Sequence, residues 1–292
     1  MKRNQKVMNR NQKGNVDWQF LQSKIFIGKE KKIYLPHIGI DITKGCNMRC
    51  EHCSHLSPMM HGHFLKEELI DSLEKWGKKL QPKRFAILGG EPLLHPDFEE
   101  IVLSAHQYWP NSEIVIVTNG ILLERINNLF LEKIQKIGRI RFNISQHTES
   151  LEWMKKYEKM KIRFTKYETP FSLRKSYSRW MITYKQTAEG RYIPYTSLPQ
   201  KAWEVCWGRS YYKIYEGNLW YCPRLVSVIL AVKEGLFREE WQHILSHQPM
   251  TPNNTQEEIF AYLKQEALPE CSMCPEEMVF VEPRQMDSTK DT

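Results

Sequence analysis

The sequence predicts an α/β fold, a parallel sheet with helices on its outside, followed by a smaller module rich in cysteine. Three observations carry that expectation. Apolar, strand-like runs alternate with helical periods from residue 37 to about 170. Three cysteines crowd together directly after the first strand, and four more occupy an aperiodic stretch near the C-terminus.

The elements follow in order. "HIGIDIT" (37–43) reads as the first strand, and "LKEELIDSLEKWGKKL" (65–80) sets Leu65, Leu69, Leu73, Trp76 and Leu80 on one helical face. "RFAILGG" (84–90) reads as a buried strand, after which Pro96 opens a helix with Phe98, Ile101, Val102 and Ala105 inward. "EIVIVTNG" (113–120) and "LERINNLFLEKIQKI" (123–137) form the next strand and helix. "RIRFNIS" (139–145), "ESLEWMKKYEKM" (149–160) and "IRFTKYE" (162–168) repeat the cycle as strand, helix and strand. Short connections imply parallel strands, and both an open doubly wound sheet and a full or partial barrel satisfy the pattern. In either, chemistry belongs at the C-terminal ends of the strands. Beyond residue 170 the period fails. The later stretch contains a hairpin near "YYKIYEGNLWYC" and a helix "TQEEIFAYLKQEA", whose Thr255 and Glu258 form a capping box. The expected division is a basic N-terminal segment (1–36), a barrel-like domain (37–200), a cysteine module (201–276) and a frayed tail (277–292).

Composition excludes several classes of function. With 292 residues, 41% hydrophobic and 26% charged, the chain is an ordinary globular one with a sizeable core. Its start carries positive charge but no apolar run, and the longest apolar run, "LVSVILAV" (225–232), is too short to span a bilayer. A cytoplasmic location without membrane contact follows as an expectation, and there seven cysteines suggest metal ligands rather than disulfides. The net charge of +8 is concentrated in residues 1–32, with nine basic and two acidic groups, while the rest of the chain holds 33 and 32. That distribution describes a solvated leader rather than a nucleic-acid-binding domain.

"CNMRCEHC" sets Cys46, Cys50 and Cys53 in a C-x3-C-x2-C pattern on one loop. A structural zinc site wants four ligands, and four thiolates hold an ordinary iron–sulfur cluster. Three local thiolates leave one iron of a four-iron cluster open. These residues, with "GGEP" (Gly89, Gly90, Glu91, Pro92) at the second strand end and "TNG" (Thr118, Asn119, Gly120) at the third, resemble the signature of the radical S-adenosylmethionine (SAM) superfamily over roughly 36–170. His52 stands where that family usually has an aromatic residue. The resemblance implies a partial (β/α)6 barrel and a [4Fe-4S] cluster on the three cysteines. It also implies SAM bound beside Gly89, Gly90, Glu91, Thr118, Asn119 and Ser145. The glycines would admit the ligand to the backbone, and Glu91 would face the SAM ammonium. The family's first step is reductive cleavage of SAM to methionine and a 5′-deoxyadenosyl radical, which abstracts a hydrogen atom from substrate.

Cys206, Cys222, Cys271 and Cys274 remain, as C-x10-G-x4-C around Gly217 and then C-x2-C. Zinc would accept this set. Within the family it resembles the twitch module, a shortened relative of the SPASM extension, which holds one auxiliary [4Fe-4S] cluster. The layout is similar to that of 2-deoxy-scyllo-inosamine dehydrogenase, which oxidises a cyclitol alcohol. With all seven cysteines used as ligands, none is left as a thiol hydrogen donor. The expected reaction is therefore a two-electron oxidation of a small polar molecule such as a sugar, aminocyclitol or nucleotide sugar. The auxiliary cluster would accept the electron, and a flavodoxin- or ferredoxin-type partner would supply the first one. Peptide maturation, sugar epimerisation and a zinc-stabilised scaffold are the competing readings. Peptide maturation is disfavoured because 36 residues before the first strand are few for a leader-recognition domain. Arg174, Arg179 and Arg191 lie in a stretch expected to face the cavity, and His55, His61 and His63 follow the first cysteines. Each is weighed against a plain surface or packing role. Trp203, Trp207, Tyr211, Tyr212 and Tyr215 read as packing of the small module.

Overall fold

The computed structural model describes residues 6–7, 23–176 and 180–281. Arg179, most of the basic leader and the tail from 282 lie outside the described residues. The main sheet runs Asn218–Trp220, Tyr211–Tyr215, Ile33–Asp41, Leu80–Leu88, Glu113–Thr118, Ile140–Gln146, Phe171–Lys175. From Tyr211–Tyr215 to Phe171–Lys175 every neighbouring pair is parallel. Phe26–Ile27 and Asn218–Trp220 pair antiparallel with Ile33–Asp41 and Tyr211–Tyr215.

Period-two patterning makes the two faces different. Ile38, Ile40, Phe85, Ile87, Ile114, Ile116, Phe142 and Ile144 are buried in the main core with the helices Lys66–Gly77, Phe98–Tyr108, Asn128–Ile137 and Leu151–Lys166. Their neighbours along the strands, Gly39, Ala86, Val115, Asn143 and Ser172, are small or polar and line a cavity on the other face. Bulky side chains on that face would fill it.

The helix ends follow local chemistry. Lys66–Gly77 is shorter than the expected 65–80, because Leu65 is an exposed N-cap and Leu80 already begins the second parallel strand. Asn127 caps Asn128–Ile137 by accepting from the Leu129 N–H at 2.9 Å, so residues 123–125 form a separate short 3₁₀ turn. The expected strand 162–168 is a correction, since the helix Leu151–Lys166 continues through it. Trp153, Met160 and Phe164 are all buried at helical spacing, while Ile162 is 71% exposed. A strand would have put Ile162 and Phe164 on the same face. The fifth strand forms later, at Phe171–Lys175, after Pro170.

The hairpin Tyr211–Tyr215 and Asn218–Trp220, and the helix Gln256–Lys264 with its Thr255/Glu258 capping box, form as the sequence expects. Unforeseen is where the hairpin docks. It supplies the sixth parallel strand beside Ile33–Asp41, at the opposite edge from the fifth, and the sheet stays open. A second core of Trp220, Val226, Ile229, Trp241 and Met273 takes in Leu56 and Met60 from the first cysteine loop. Trp76, fully buried in the first helix, donates its indole N–H to the Gly217 carbonyl at the hairpin turn, 2.8 Å away. We expect Trp76→Ala to cost about 3–5 kcal/mol in urea unfolding. Trp76→Phe, which mainly strands the Gly217 carbonyl, should cost about 1–3 kcal/mol.

Candidate active site

The first cysteine loop leaves the strand Ile33–Asp41 at its C-terminal end and is wound tightly. The Cys53 N–H donates to the Cys50 carbonyl at 3.3 Å and the Leu56 N–H to the Cys53 carbonyl at 3.1 Å. His52 and Leu56 adopt left-handed backbone conformations, with φ of 60° and 58°. Non-glycine residues rarely sit there unless surrounding structure holds them. All three cysteines are free thiols. Burial, and next the negative charge of Glu91, drive the Cys46 thiol well above its usual range. Burial and next the neighbouring Cys53 push Cys50 up to about 12. Burial also raises Cys53, while the His55 and Ser57 backbone groups pull it back. Three anionic sulfurs are costly here without a positive centre to bind. N–H donors already face one of them, since the Met48 N–H and the Asn119 side-chain amide point at Cys46 Sγ from 3.4 and 3.7 Å.

The second strand end is pressed onto this loop. The Gly90 N–H donates to the Thr43 carbonyl and the Glu91 N–H to the Gly45 carbonyl, both at 3.1 Å. A Cβ on Gly90 would fall 1.9 Å from the Gly45 carbonyl oxygen, and Gly89 has φ of +147°. The close approach these glycines permit is to the cysteine loop itself. Glu91 is fully buried, and desolvation lifts its carboxyl to about 7 despite three donors. Those donors are the Thr118 hydroxyl at 2.7 Å, the Asn119 N–H at 2.8 Å and the Leu93 N–H at 3.2 Å. Asn119 in turn reaches the Asn47 side-chain oxygen at 2.7 Å. The structure thus joins Cys46, Gly89, Gly90, Glu91, Thr118 and Asn119 in one contiguous group. Ser145 stands at the next strand end and accepts from the Arg174 guanidinium at 3.2 Å. A cleft of about 230 Å³ adjoins Cys46, lined by Thr43, Arg49, Met60, His61 and His63. The Thr43 hydroxyl is buried without a partner, a polar atom available to a ligand in that cleft.

The remaining cysteines converge from three elements. Cys206 ends the helix Pro199–Val205, Cys222 caps Pro223–Lys233, and Cys271 and Cys274 flank the end of the turn Pro269–Met273. Burial pushes Cys206 up to about 11 and Cys271 to about 12, with the charge of Cys222 next in each case. Cys222 and Cys274 are raised too, chiefly by burial. The Arg224 and Leu225 N–H groups at the helix N-terminus favour a thiolate at Cys222. Among the described residues no three His, Cys, Asp or Glu side chains are drawn together as a single-ion site would draw them. All four of these cysteines line the cavity of about 620 Å³ on the sheet face that carries Gly39, Ala86, Val115, Asn143 and Ser172.

Of the other expected residues, His55 and Arg174 line this cavity. Arg191 does not: it pairs with Glu240 at 2.9 Å and is half exposed. Trp203 and Tyr212 are buried in packing, whereas Trp207 and Tyr211 are exposed, and all four border the cavity. The sequence reading missed two cations. Lys213 is buried, lines the cavity and pairs with Asp41 at 2.5 Å. Arg224 follows Cys222 and lines the same cavity. A lysine inside "YYKIY" and an arginine opening an apolar helix were the available signals.

The family model for the radical SAM superfamily matches residues 40–170. Residues 40–170 form a radical SAM domain. A probable GTP 3′,8-cyclase of Archaeoglobus fulgidus is 33% identical over 123 residues, which cover 41% of this chain and 39% of that protein. A GTP 3′,8-cyclase of Helicobacter pylori is 32% identical over 116 residues, 38% of this chain and 34% of its own length. The chain thus spans only about two fifths or less of the length of these curated relatives. Among solved structures, BtrN in complex with AdoMet and 2-DOIA is similar at 15% identity and TM-score 0.43, covering 82% of this chain and 90% of that one. The structure of anSMEcpe with bound AdoMet is similar at 20% identity and TM-score 0.39, covering 47% of this chain and 42% of that one.

Because backbone blocks any Cβ at Gly90, Gly90→Ala should displace the loop carrying Cys46, Cys50 and Cys53. After anaerobic reconstitution, bound iron is expected to fall, with far-ultraviolet circular dichroism unchanged.

Proposed function

We propose that this radical SAM protein carries out a two-electron oxidation of a small polar substrate, such as a sugar, an aminocyclitol or a nucleotide sugar. The observation that carries the reading is the shared cavity: Cys206, Cys222, Cys271 and Cys274 line the same space as the strand residues Ala86, Val115, Asn143 and Ser172. A donor set opening onto the substrate chamber suits an electron acceptor. Bound at Cys46, Cys50 and Cys53, a four-iron cluster with SAM would supply the carbon radical that removes a substrate hydrogen atom.

The chain's own residues have distinct parts in this reading. Glu91 braces the third strand end by accepting from Thr118 and Asn119, and Asn119 orients its amide toward Cys46. Gly89, Gly90, Glu91, Thr118, Asn119 and Ser145 border the place assigned to SAM. The burial of His55 lowers its pKa to about 4, with the Lys213 charge next, so it faces the chamber as a neutral imidazole. A flavodoxin- or ferredoxin-type protein would deliver the initiating electron. Every cysteine falls in one of the two sets, so none is spare as a hydrogen donor for epimerisation. The GTP 3′,8-cyclases match over a length close to that of the radical SAM domain, which supports a common radical-generating half and leaves substrate choice to the rest.

Anaerobic reconstitution tests this. About eight irons per chain are expected for two four-iron clusters. Cys46→Ala/Cys50→Ala/Cys53→Ala should retain about four and lose 5′-deoxyadenosine formation with dithionite. Cys222→Ala/Cys271→Ala should also retain about four irons but still cleave SAM. Zinc in place of iron, or no deoxyadenosine from wild type, would overturn the assignment.

A further inference from the structure

The cations lining the large cavity are not equally compensated. Arg84 and Arg141 share Glu113, at 2.6 and 3.5 Å. Lys213 is paired with Asp41. Arg174 and Arg224 also line the cavity, and among the described residues neither has a carboxylate within 4.0 Å. The acids on the wall do not fill the gap, since Glu270 is held by His247 at 3.3 Å and Glu277 is exposed.

Arg224 occupies a particular place. It lines the cavity together with His55, two residues beyond Cys53 of the first cysteine set, and with Cys206, Cys222, Cys271 and Cys274 of the second. Arg224 thus stands on the wall of a chamber that reaches from the end of the first cysteine loop, at Ser54 and His55, to the second cysteine set. Arg174 stands on the fifth parallel strand, with its guanidinium held by the Ser145 and Ser176 hydroxyls at 3.2 Å each. The half-buried Arg224 guanidinium is costly without a counter-charge, and the planar fork of either arginine matches a phosphoryl or carboxylate group in two parallel hydrogen bonds.

We infer that the cavity binds its substrate through an oxyanion, phosphoryl or carboxylate, gripped by Arg224 and steadied by Arg174. This rests on the reading of the cavity as the substrate chamber. It narrows the substrate class to an anionic polar molecule and gives Arg224 the task of placing it between the two cysteine sets. Neutral sugars and cyclitols are then poor substrates.

Calorimetric titration of reconstituted protein with inorganic pyrophosphate, inorganic phosphate and citrate tests it, with pyrophosphate against citrate separating phosphoryl from carboxylate recognition. At least one anion should bind wild type. Arg224→Gln should weaken that binding at least tenfold, Arg174→Gln less, and Lys75→Gln on the outer surface not at all. Arg224→Lys keeps the charge without the fork and should recover part of the loss; it decides the matter if Arg224→Gln does not fold. Binding of none of the anions, or equal binding by wild type and Arg224→Gln, overturns the inference. So does a shift in the cluster midpoint potentials of Arg224→Gln, followed by electron paramagnetic resonance, with anion affinity unchanged: the guanidinium then serves the clusters alone. Iron content on the same samples reports separately on the two-cluster reading, and repeating the titration on metal-free protein keeps the two failures apart.

Discussion

The site depends on one backbone contact, the docking of Gly89–Gly90–Glu91 against Thr43–Gly45. Two amide hydrogen bonds cross it, and no side chain larger than hydrogen fits at Gly90. Everything nearby is positioned from there. The contact sets Cys46 at the end of the first parallel strand and drives the Glu91 carboxylate into the interior. Glu91 then gathers Thr118 and Asn119, and Asn119 returns to Cys46 and Asn47. The result is a closed circuit of contacts linking three strand ends. A buried carboxylate is normally expensive, and three donors make this one tolerable.

Much of this was legible in the residues, for definable reasons. The strands were readable because short apolar runs such as 85–88 and 114–117 end in glycine or turn residues and alternate with helical periods. Both cysteine sets stood out because thiols are scarce and their spacings short. The stretch 162–168 was misread because its β-branched and aromatic residues imitate a strand. Only the helical spacing of Trp153, Met160 and Phe164 decides otherwise, and that needs the whole segment to be read as one element. The purpose of the glycines was half legible: their need for room was plain, but not that Gly45 is what approaches them. Lys213 and Arg224 were missed because a single cation in an apolar run carries no periodic signal, and its meaning lies in which cavity it faces.

The two parts of the molecule share their framework. The hairpin extends the parallel sheet, the second apolar core includes Leu56 and Met60 of the first cysteine loop, and Tyr184 donates its hydroxyl to the Cys53 carbonyl at 3.2 Å. Lys44 and Glu234 add an ion pair at 2.8 Å across the same boundary. The loop carrying the first three cysteines is thus held from both sides, and the wall opposite the sheet is fixed relative to it.

The strand order also has a consequence for the birth of the chain. Over His37–Ile40, Ile33–Asp41 is an interior strand because Tyr211–Tyr215 lies alongside it, some 170 residues later. During synthesis every earlier strand emerges first, and Phe26–Ile27 covers only the Ile33–Tyr34 end of that flank, leaving the His37–Ile40 stretch bare until the hairpin appears. Such an unpaired edge invites pairing with another chain, and sequence-distant closure is slow. A nascent chain of this topology therefore spends its most vulnerable interval after the radical SAM domain is made and before the hairpin arrives. Shielding by a chaperone, or rapid elongation through the intervening stretch, would favour its productive folding.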